Sequence, residues 1–340
     1  MGFLDQKLDI KIKELSNPYE IVRNLHIGTK IPILKEHFNY IINDLVYFQS
    51  KSLLLIENDE PIGHVLVYHA REEILYFGFY GLTIDREDYI LLLVDEIIRY
   101  ALKYKFKVIR GPINIPTIIY GWGFMKEGTK SDIFIGKPVN PLIYPKIFIK
   151  RGFYIHHEEK TYEGETIQFN PYENRRYDFS DYEIFTPKDW EELMEFKDIF
   201  LSLNNENLPA TSKITPHIDN VFENYVSFVL EYTGPYMILF IRHIPTGEII
   251  ACCGCVPNPF RKNRYGILDS FFANSIVIRP DHRKKGLSLL IAGTFSKILR
   301  EHGLKNALTS VVSNNINSIS LFKKLGYKST RLHCLLEMKL

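Results

Sequence analysis

The chain states one layout twice, and this repetition limits its fold more than any other feature. Ser52–Ile56 and Ile62–Val67 are apolar runs joined by Glu57-Asn58-Asp59-Glu60-Pro61, which reads as a β-hairpin. Met237–Ile241 and Ile249–Cys253 repeat the hairpin around Pro245-Thr246-Gly247-Glu248. A third strand follows each, at Ile74–Phe79 and at Phe271–Val277. Next comes a helix with one apolar face, through Ile90, Leu91, Val94, Ile97 and Ile98, then through Leu287, Ile291, Phe295 and Ile298. A further strand follows (Phe106–Arg110, then Ala307–Val312). Each half ends in a helix closed by glycine and an aromatic, Gly152-Phe153 and Gly326-Tyr327. Glycine suits the left-handed turn that terminates a helix. The expected fold class is α+β, with two tandem domains that are each a mixed twisted sheet flanked by helices.

The boundary is expected in the polar stretch between Tyr162 and Asp181, which carries Asn170-Pro171 and Arg175-Arg176. This gives domains at 1–170 and 181–340. Thr186-Pro187 then reads as the cap of a helix through Trp190, Leu193 and Phe196.

At 340 residues and 46% apolar composition, with 23 Phe and 21 Tyr, the chain has ample material for two cores. A net charge of +2 is too small for the basic field of a non-specific nucleic-acid binder. No apolar run reaches membrane-spanning length. Met1–Gln6 has neither the basic nor the apolar part of a signal peptide, so the expected location is cytoplasmic. The four cysteines are Cys252, Cys253, Cys255 and Cys334. Cys252 and Cys255 form a C-x-x-C, but alternation along a strand points them to opposite faces. No second ligand pair accompanies them, so they read as small buried hydrophobes and no metal is expected.

Two motifs carry chemistry. The first is Val277-Ile278-Arg279-Pro280-Asp281-His282-Arg283-Lys284-Lys285-Gly286-Leu287-Ser288. It reads as a strand end, a basic turn, a glycine and an apolar helix, so bare amides and positive side chains meet at a helix N-terminus, a seat for phosphate. The second is Asn317-Ser318-Ile319-Ser320-Leu321-Phe322-Lys323-Lys324-Leu325-Gly326-Tyr327. In this order near the C-terminus, they resemble the acyl-CoA-binding half of the GCN5-related N-acetyltransferase (GNAT) superfamily. Arg283 to Ser288 match its Gln/Arg-x-x-Gly-x-Gly/Ala loop, with Ser288 as a small departure.

The resemblance implies an acyl-CoA co-substrate, probed first as acetyl-CoA, and N-acyl transfer by direct attack of an amine on the thioester. A side chain at Gly286 would block the pyrophosphate, while Arg283, Lys284 and Lys285 supply charge and Leu287 and Ser288 open the helix. Asn317 either bonds the pantetheine arm or caps its helix. Ser320 stands where a small residue lets the cofactor lie close. Phe322 stands where many members carry a tyrosine acid, and a phenyl ring donates no proton. Lys323 and Lys324 read as a solvated face. The oxyanion donor is a backbone N–H near Val277 and Ile278. Asp269, Asn274 and Ser275 are the polar candidates for the base on or near that strand, Asp269 being the only carboxylate, with Glu337 and His333 as weaker options.

At the matching helix start the first half reads Thr83-Ile84-Asp85-Arg86-Glu87-Asp88-Tyr89. It has no glycine, and three acids face one arginine, which repels pyrophosphate. This half is expected to be degenerate and to bind no CoA. Its Gly-, Pro- and aromatic-rich run from Arg110 to Phe124 reads as an ordered loop, either a wall of the acceptor pocket or packing between the halves. The acceptor is expected to be a small-molecule or peptide amine; monomer and homodimer are both compatible. Rival readings are a non-catalytic acyl-CoA sensor and a tRNA-dependent aminoacyl transferase of the tandem type.

Overall fold

The computed structural model describes residues 9–70, 73–128, 133–166, 169–174, 176–207, 215–216 and 221–340. Met1–Gln6 and Arg175, both used in the sequence reading, lie outside them. The chain divides into two compact units, Met1–Glu158 with Arg331–Leu340, and Glu159–Thr330. The division thus falls ahead of the 170–181 stretch, and the last strand joins the first unit.

Unit 1 opens with β1 (Ile10–Leu15), α1 (Pro18–Asn24), α2 (Phe38–Tyr47) and the hairpin of β2 (Lys51–Glu57) and β3 (Glu60–Tyr68). Then come β4 (Ile74–Leu82), α3 (Glu87–Lys103), β5 (Val108–Gly111), α4 (Thr117–Tyr120), β6 (Phe124–Gly128) and α5 (Ile143–Lys150). Its sheet runs β1-β2-β3-β4-β5, and residues 331–339 of β13 (Lys328–Lys339) complete it, antiparallel to β5 and β6. Ile90, Leu93, Val94, Ile97 and Ala101 of α3 recur at helical spacing and are fully buried, which presses that helix onto the sheet. Phe77 stacks on Phe148 at 5.2 Å within the same core.

Unit 2 begins inside β7 (Tyr154–Glu165) and continues through β8 (Tyr182–Phe185), α6 (Trp190–Glu195), α7 (Lys197–Asn207) and α8 (Val221–Tyr232). The hairpin β9 (Ile238–His243) and β10 (Ile249–Pro257) leads to β11 (Ser270–Ile278), α9 (Leu287–Glu301), β12 (Asn306–Val312) and α10 (Ile316–Lys324). The sheet order is β7-β12-β11-β10-β9-β8. In each unit one pair is parallel, β4 with β5 and β11 with β12, and each is spanned by a crossover helix.

The repeated layout is therefore present element by element, and Gly152 and Gly326 both have positive φ (102° and 79°) after their helices. Asp189, not Thr186, caps α6: its carboxylate accepts the Glu192 N–H at 2.9 Å. All four cysteines are buried and free. Cys252 Sγ meets Asn204 of α7 at 3.6 Å, while Cys253 and Cys255 line a cavity on the α9 side, so alternation separates Cys252 from Cys255 as expected. Among the described residues no cluster could hold a metal ion, and no helix is long and apolar enough to cross a membrane.

Candidate functional site

The parallel pair of unit 2 parts halfway along its length. The β11–β12 ladder runs from Ser270↔Asn306 to Ala273↔Thr309 and stops, although β11 continues to Ile278 and β12 to Val312. The cause is a β-bulge. Consecutive Gly254 and Cys255 of β10 stand opposite Ser275 and Ala273, so Asn274 is one residue too many for the ladder. An extra residue bends a strand and increases its twist. Thr309 Oγ1 donates to the Ala273 carbonyl at 3.2 Å and marks the apex of the split. Beyond it, alternation fixes the direction of each amide. Arg279 N–H donates to Ile250 O, so the Val277 N–H also faces β10, and those of Ile276 and Ile278 face the side that β12 leaves.

The strand ends at the turn that opens α9. Gly286 is the N-cap residue with φ 81°, and Lys284 has φ 65°. Among the described residues no hydrogen bond engages the amides of Lys284, Lys285 or Gly286, and neither lysine makes an ion pair. The positive end of a 15-residue helix, free amides and two exposed cations form an anion seat.

Arg283 does not join this seat. Its Nε donates to Ile278 O at 2.9 Å and its Nη2 to Asn207 O at 3.3 Å, so it braces the strand end against the end of α7. At Gly286 the space that a side chain would take is occupied by the chain itself. A Cβ there would fall 2.5 Å from Cγ of Tyr177, whose ring lies against the turn and stacks on Phe179 at 6.2 Å.

The other expected residues are placed unevenly. Ile278 borders the split. Val277 does not serve as its donor, because its amide points to β10. Leu287 is buried, so only its amide faces the turn, and Ser288 is half-buried. Asn315 caps α10 by accepting the Ser318 N–H at 3.2 Å, which removes the capping role from Asn317 and leaves Asn317 exposed in the first turn. Ser320 shares a helix face with Ile316, Ile319, Lys323 and Lys324 that lines a surface groove. Phe322 turns inward, stacked on Tyr162 at 6.2 Å and edge-on to Tyr327 at 5.8 Å. Burial pushes the Tyr327 hydroxyl up to about 12, so it stays protonated at neutral pH.

Asp269 is misplaced for a base. It precedes β11, five residues before the bulge, or about 16 Å along an extended strand. It sits 3.5 Å from Arg261, and its carbonyl accepts the amides of Lys305 and Asn306, so it anchors the paired end. Glu337 and His333 belong to the sheet of unit 1. There Glu337 pairs with Arg110 at 2.7 Å, and His333 Nε2 lies 2.9 Å from Pro138 O.

Unit 1 contains the same split, filled by its own chain. β4 carries an extra residue between Gly78 and Gly81, where Phe79 has φ 44°, and pairs with β5 only from Ile74 to Tyr76. The run after Gly111 packs into the gap. Ile113 N–H donates to Phe77 O at 2.7 Å, and Phe79 N–H donates to Asn114 Oδ1 at 2.6 Å. Asn114 Nδ2 donates to Tyr120 O at 2.8 Å, and a Cβ on Gly78 would fall 2.1 Å from Ile113 O. The Gly- and Pro-rich run thus fills its own unit's split. At the α3 start, Arg86 is committed to Asp88 and Tyr89.

Residues 198–327 match the Acetyltransferase (GNAT) family. That match is confined to the second half of the chain, from α7 to Tyr327, and marks this half as similar to a GNAT domain. No curated protein matches the sequence. Across the whole length the fold is that of tandem GNAT proteins. A tandem GNAT protein from the clavulanic acid biosynthesis pathway aligns with TM-score 0.60 and 12% identity, over 97% of this chain and 98% of its own. A GCN5-related N-acetyltransferase from Sphaerobacter thermophilus aligns with TM-score 0.60 and 10% identity, over 99% and 97%. A GCN5-related glucosamine N-acetyltransferase region of a fungal multi-domain GH3 beta-N-acetylglucosaminidase gives 0.61 and 12%, over 98% of this chain and 38% of that one. At these identities the likeness is one of fold.

Proposed function

We propose that unit 2 is an acyl-CoA-dependent N-acyltransferase, with acetyl as the first group to test and the amine of a small molecule or peptide as acceptor. One observation carries this reading: the β11–β12 split leads from the Gly286 turn to amides that no strand engages, whereas the equivalent split of unit 1 is filled by Ile113 and Asn114. Lys284, Lys285 and the amides of the turn hold the diphosphate. The N–H groups of Ile276 and Ile278 face the thioester carbonyl and stabilise the negative charge that its oxygen gathers on attack. An ammonium has no lone pair, so the acceptor loses one proton before it attacks. Unit 1 takes no acyl-CoA: its split is plugged, and the α3 start is acidic.

A second reading, a non-catalytic acyl-CoA sensor, is favoured by two features: Phe322 occupies the acid position, and Asp269 stands far from the split. Titration calorimetry with acetyl-CoA, followed by thiol release across a panel of primary amines, separates the two. The transferase reading expects micromolar binding and release with at least one amine. Binding without release from any amine supports the sensor. Lys284→Glu with Lys285→Glu should weaken acetyl-CoA by about tenfold or more, as charge reversal at an anion seat does. Unchanged affinity would remove both readings from this turn.

A further inference from the structure

We propose that Thr161, Ser275 and Ser310 form the acceptor-side floor of the split in unit 2 and position the attacking amine. This rests on the transferase reading above and adds what meets the acceptor. The side-chain oxygens of these three residues are buried and have no hydrogen-bond partner among the described residues. Unsatisfied buried hydroxyls are uncommon and costly, so three around one feature call for an explanation.

The three gather around the split. Ser310 is the first residue of β12 beyond the apex at Thr309, and its Cα partner across the β12–β7 pair is Thr161. Ser275 is the first residue of β11 beyond the bulge, on the opposite side of the gap.

They also share one face of the sheet. Ala273, Ile276, Ala307, Thr309, Cys253 and Cys255 line the apolar cavity on the α9 side. Alternation therefore turns Ser310, and Thr161 opposite it, to the other face. Ser275 is paired with Gly254, where a Cβ would fall 2.6 Å from the hydroxyl of Tyr225 in α8, so Ser275 faces that side too. The Tyr225 hydroxyl is already committed to Cys255 O at 3.0 Å. Among the described residues, Thr161, Ser275 and Ser310 thus place three unpartnered neutral hydroxyls beside the split on this face.

A hydroxyl accepts from an N–H and can donate at the same time. Such a floor holds an amine by its hydrogens without fixing a charge. One proton leaves the ammonium to solvent before attack. The nitrogen–carbon bond then forms, the carbon–sulfur bond breaks, and a second nitrogen proton ends on the departing sulfur. The hydroxyls orient the amine and relay the first proton by taking one N–H and passing on their own.

The test is Ser275→Ala/Ser310→Ala/Thr161→Val in the full chain, assayed with acetyl-CoA and the best amine of the panel. The acetyl-CoA affinity should be unchanged, while kcat/KM for the amine falls by about tenfold to a hundredfold, chiefly through its KM, as lost positioning predicts. The melting temperature should rise by a few degrees, because three unsatisfied groups are removed. Thr161→Ser should retain turnover. Wild-type turnover in the triple variant, or a lower melting temperature with activity intact, would overturn the proposal and leave the transferase reading standing. Failure of the wild type to bind acetyl-CoA would overturn both.

Discussion

Gly286 shows how one residue can answer to two demands. Its φ of 81° lies in the region that side chains avoid, and the Tyr177 ring occupies the place of a Cβ. Gly286→Ala should therefore cost about 1–2 kcal/mol from conformation plus a steric share. Denaturant melts of Gly286→Ala, Tyr177→Ala and the double variant isolate that share. If the double variant is no more stable than the sum of the two single changes predicts, Tyr177 is not what excludes the methyl group. Asp44 is a second residue whose surroundings decide its behaviour. It is buried in unit 1, its Oδ2 has no partner among the described residues, and desolvation raises its carboxyl to about 7. The folded state thus binds a proton that the unfolded chain releases near pH 4. The sign follows: the carboxyl costs nothing below pH 4, destabilises progressively as pH rises towards 7, and reaches its full cost above that, on the order of 4 kcal/mol at most. Asp44→Asn should raise the melting temperature at pH 8 and leave it nearly unchanged at pH 4. An equal gain at both values would mean that the carboxyl is not the source.

The informative element-scale comparison is between two splits of the same kind. After β5, residues 112–142 intervene before the next long helix, while after β12 only 313–315 do. The longer connection supplies the segment that fills its own gap, and Asn114 bonds it at both ends of its side chain. Asn114→Ala would remove the acceptor of the Phe79 N–H and the bond to the Tyr120 carbonyl. Unit 1 should lose about 2–4 kcal/mol, read by chemical denaturation, with acetyl-CoA affinity unchanged. A loss of acetyl-CoA binding in a folded Asn114→Ala would place the cofactor in the wrong unit. Much at this scale was legible in the sequence. Hairpins, the α3 and α9 faces, and the glycine ends of α5 and α10 are local signals, set by two-residue and helical periodicity and by φ at one residue. The basic turn was legible for the same reason. The bulge was not, because one polar Asn274 between Ala273 and Ser275 leaves the pattern of a strand intact. Tyr177 and the bracing of Arg283 were not legible either, since each depends on a partner distant in sequence. The distance of Asp269 from the split was not legible, because strand membership does not say at which end the ladder parts.

At the scale of the whole molecule, the sequence boundaries and the compact units differ in a way that can be measured. The repeat suggested a second domain at 181–340, bounds that take in the last strand. The sixth strand of unit 2 is instead residues 159–165 of β7, paired with β12 from Asn306↔Glu165 to Val312↔Glu159. Residues 331–339 of β13 pair with β5 and β6 of unit 1, where Cys334, Leu335 and Leu336 are fully buried. Sequence could not reveal this, because each strand follows a Gly–aromatic helix end and looks equally suited to its own copy. A fragment of 181–340 would expose the outer edge of β12 and release an apolar strand with no sheet to join, two features that promote edge-to-edge association. It would also lack Tyr177, Pro171 and Phe169, which lie against Gly286 and Gly293 of α9. A fragment of 159–330 keeps all of these contacts. Expressed side by side, 159–330 should be the more soluble and should melt cooperatively, whereas 181–340 should aggregate. Light scattering and thermal melts read the difference. A monodisperse, cooperatively folded 181–340 would show that β7 is dispensable to unit 2 and return the boundary to the linker.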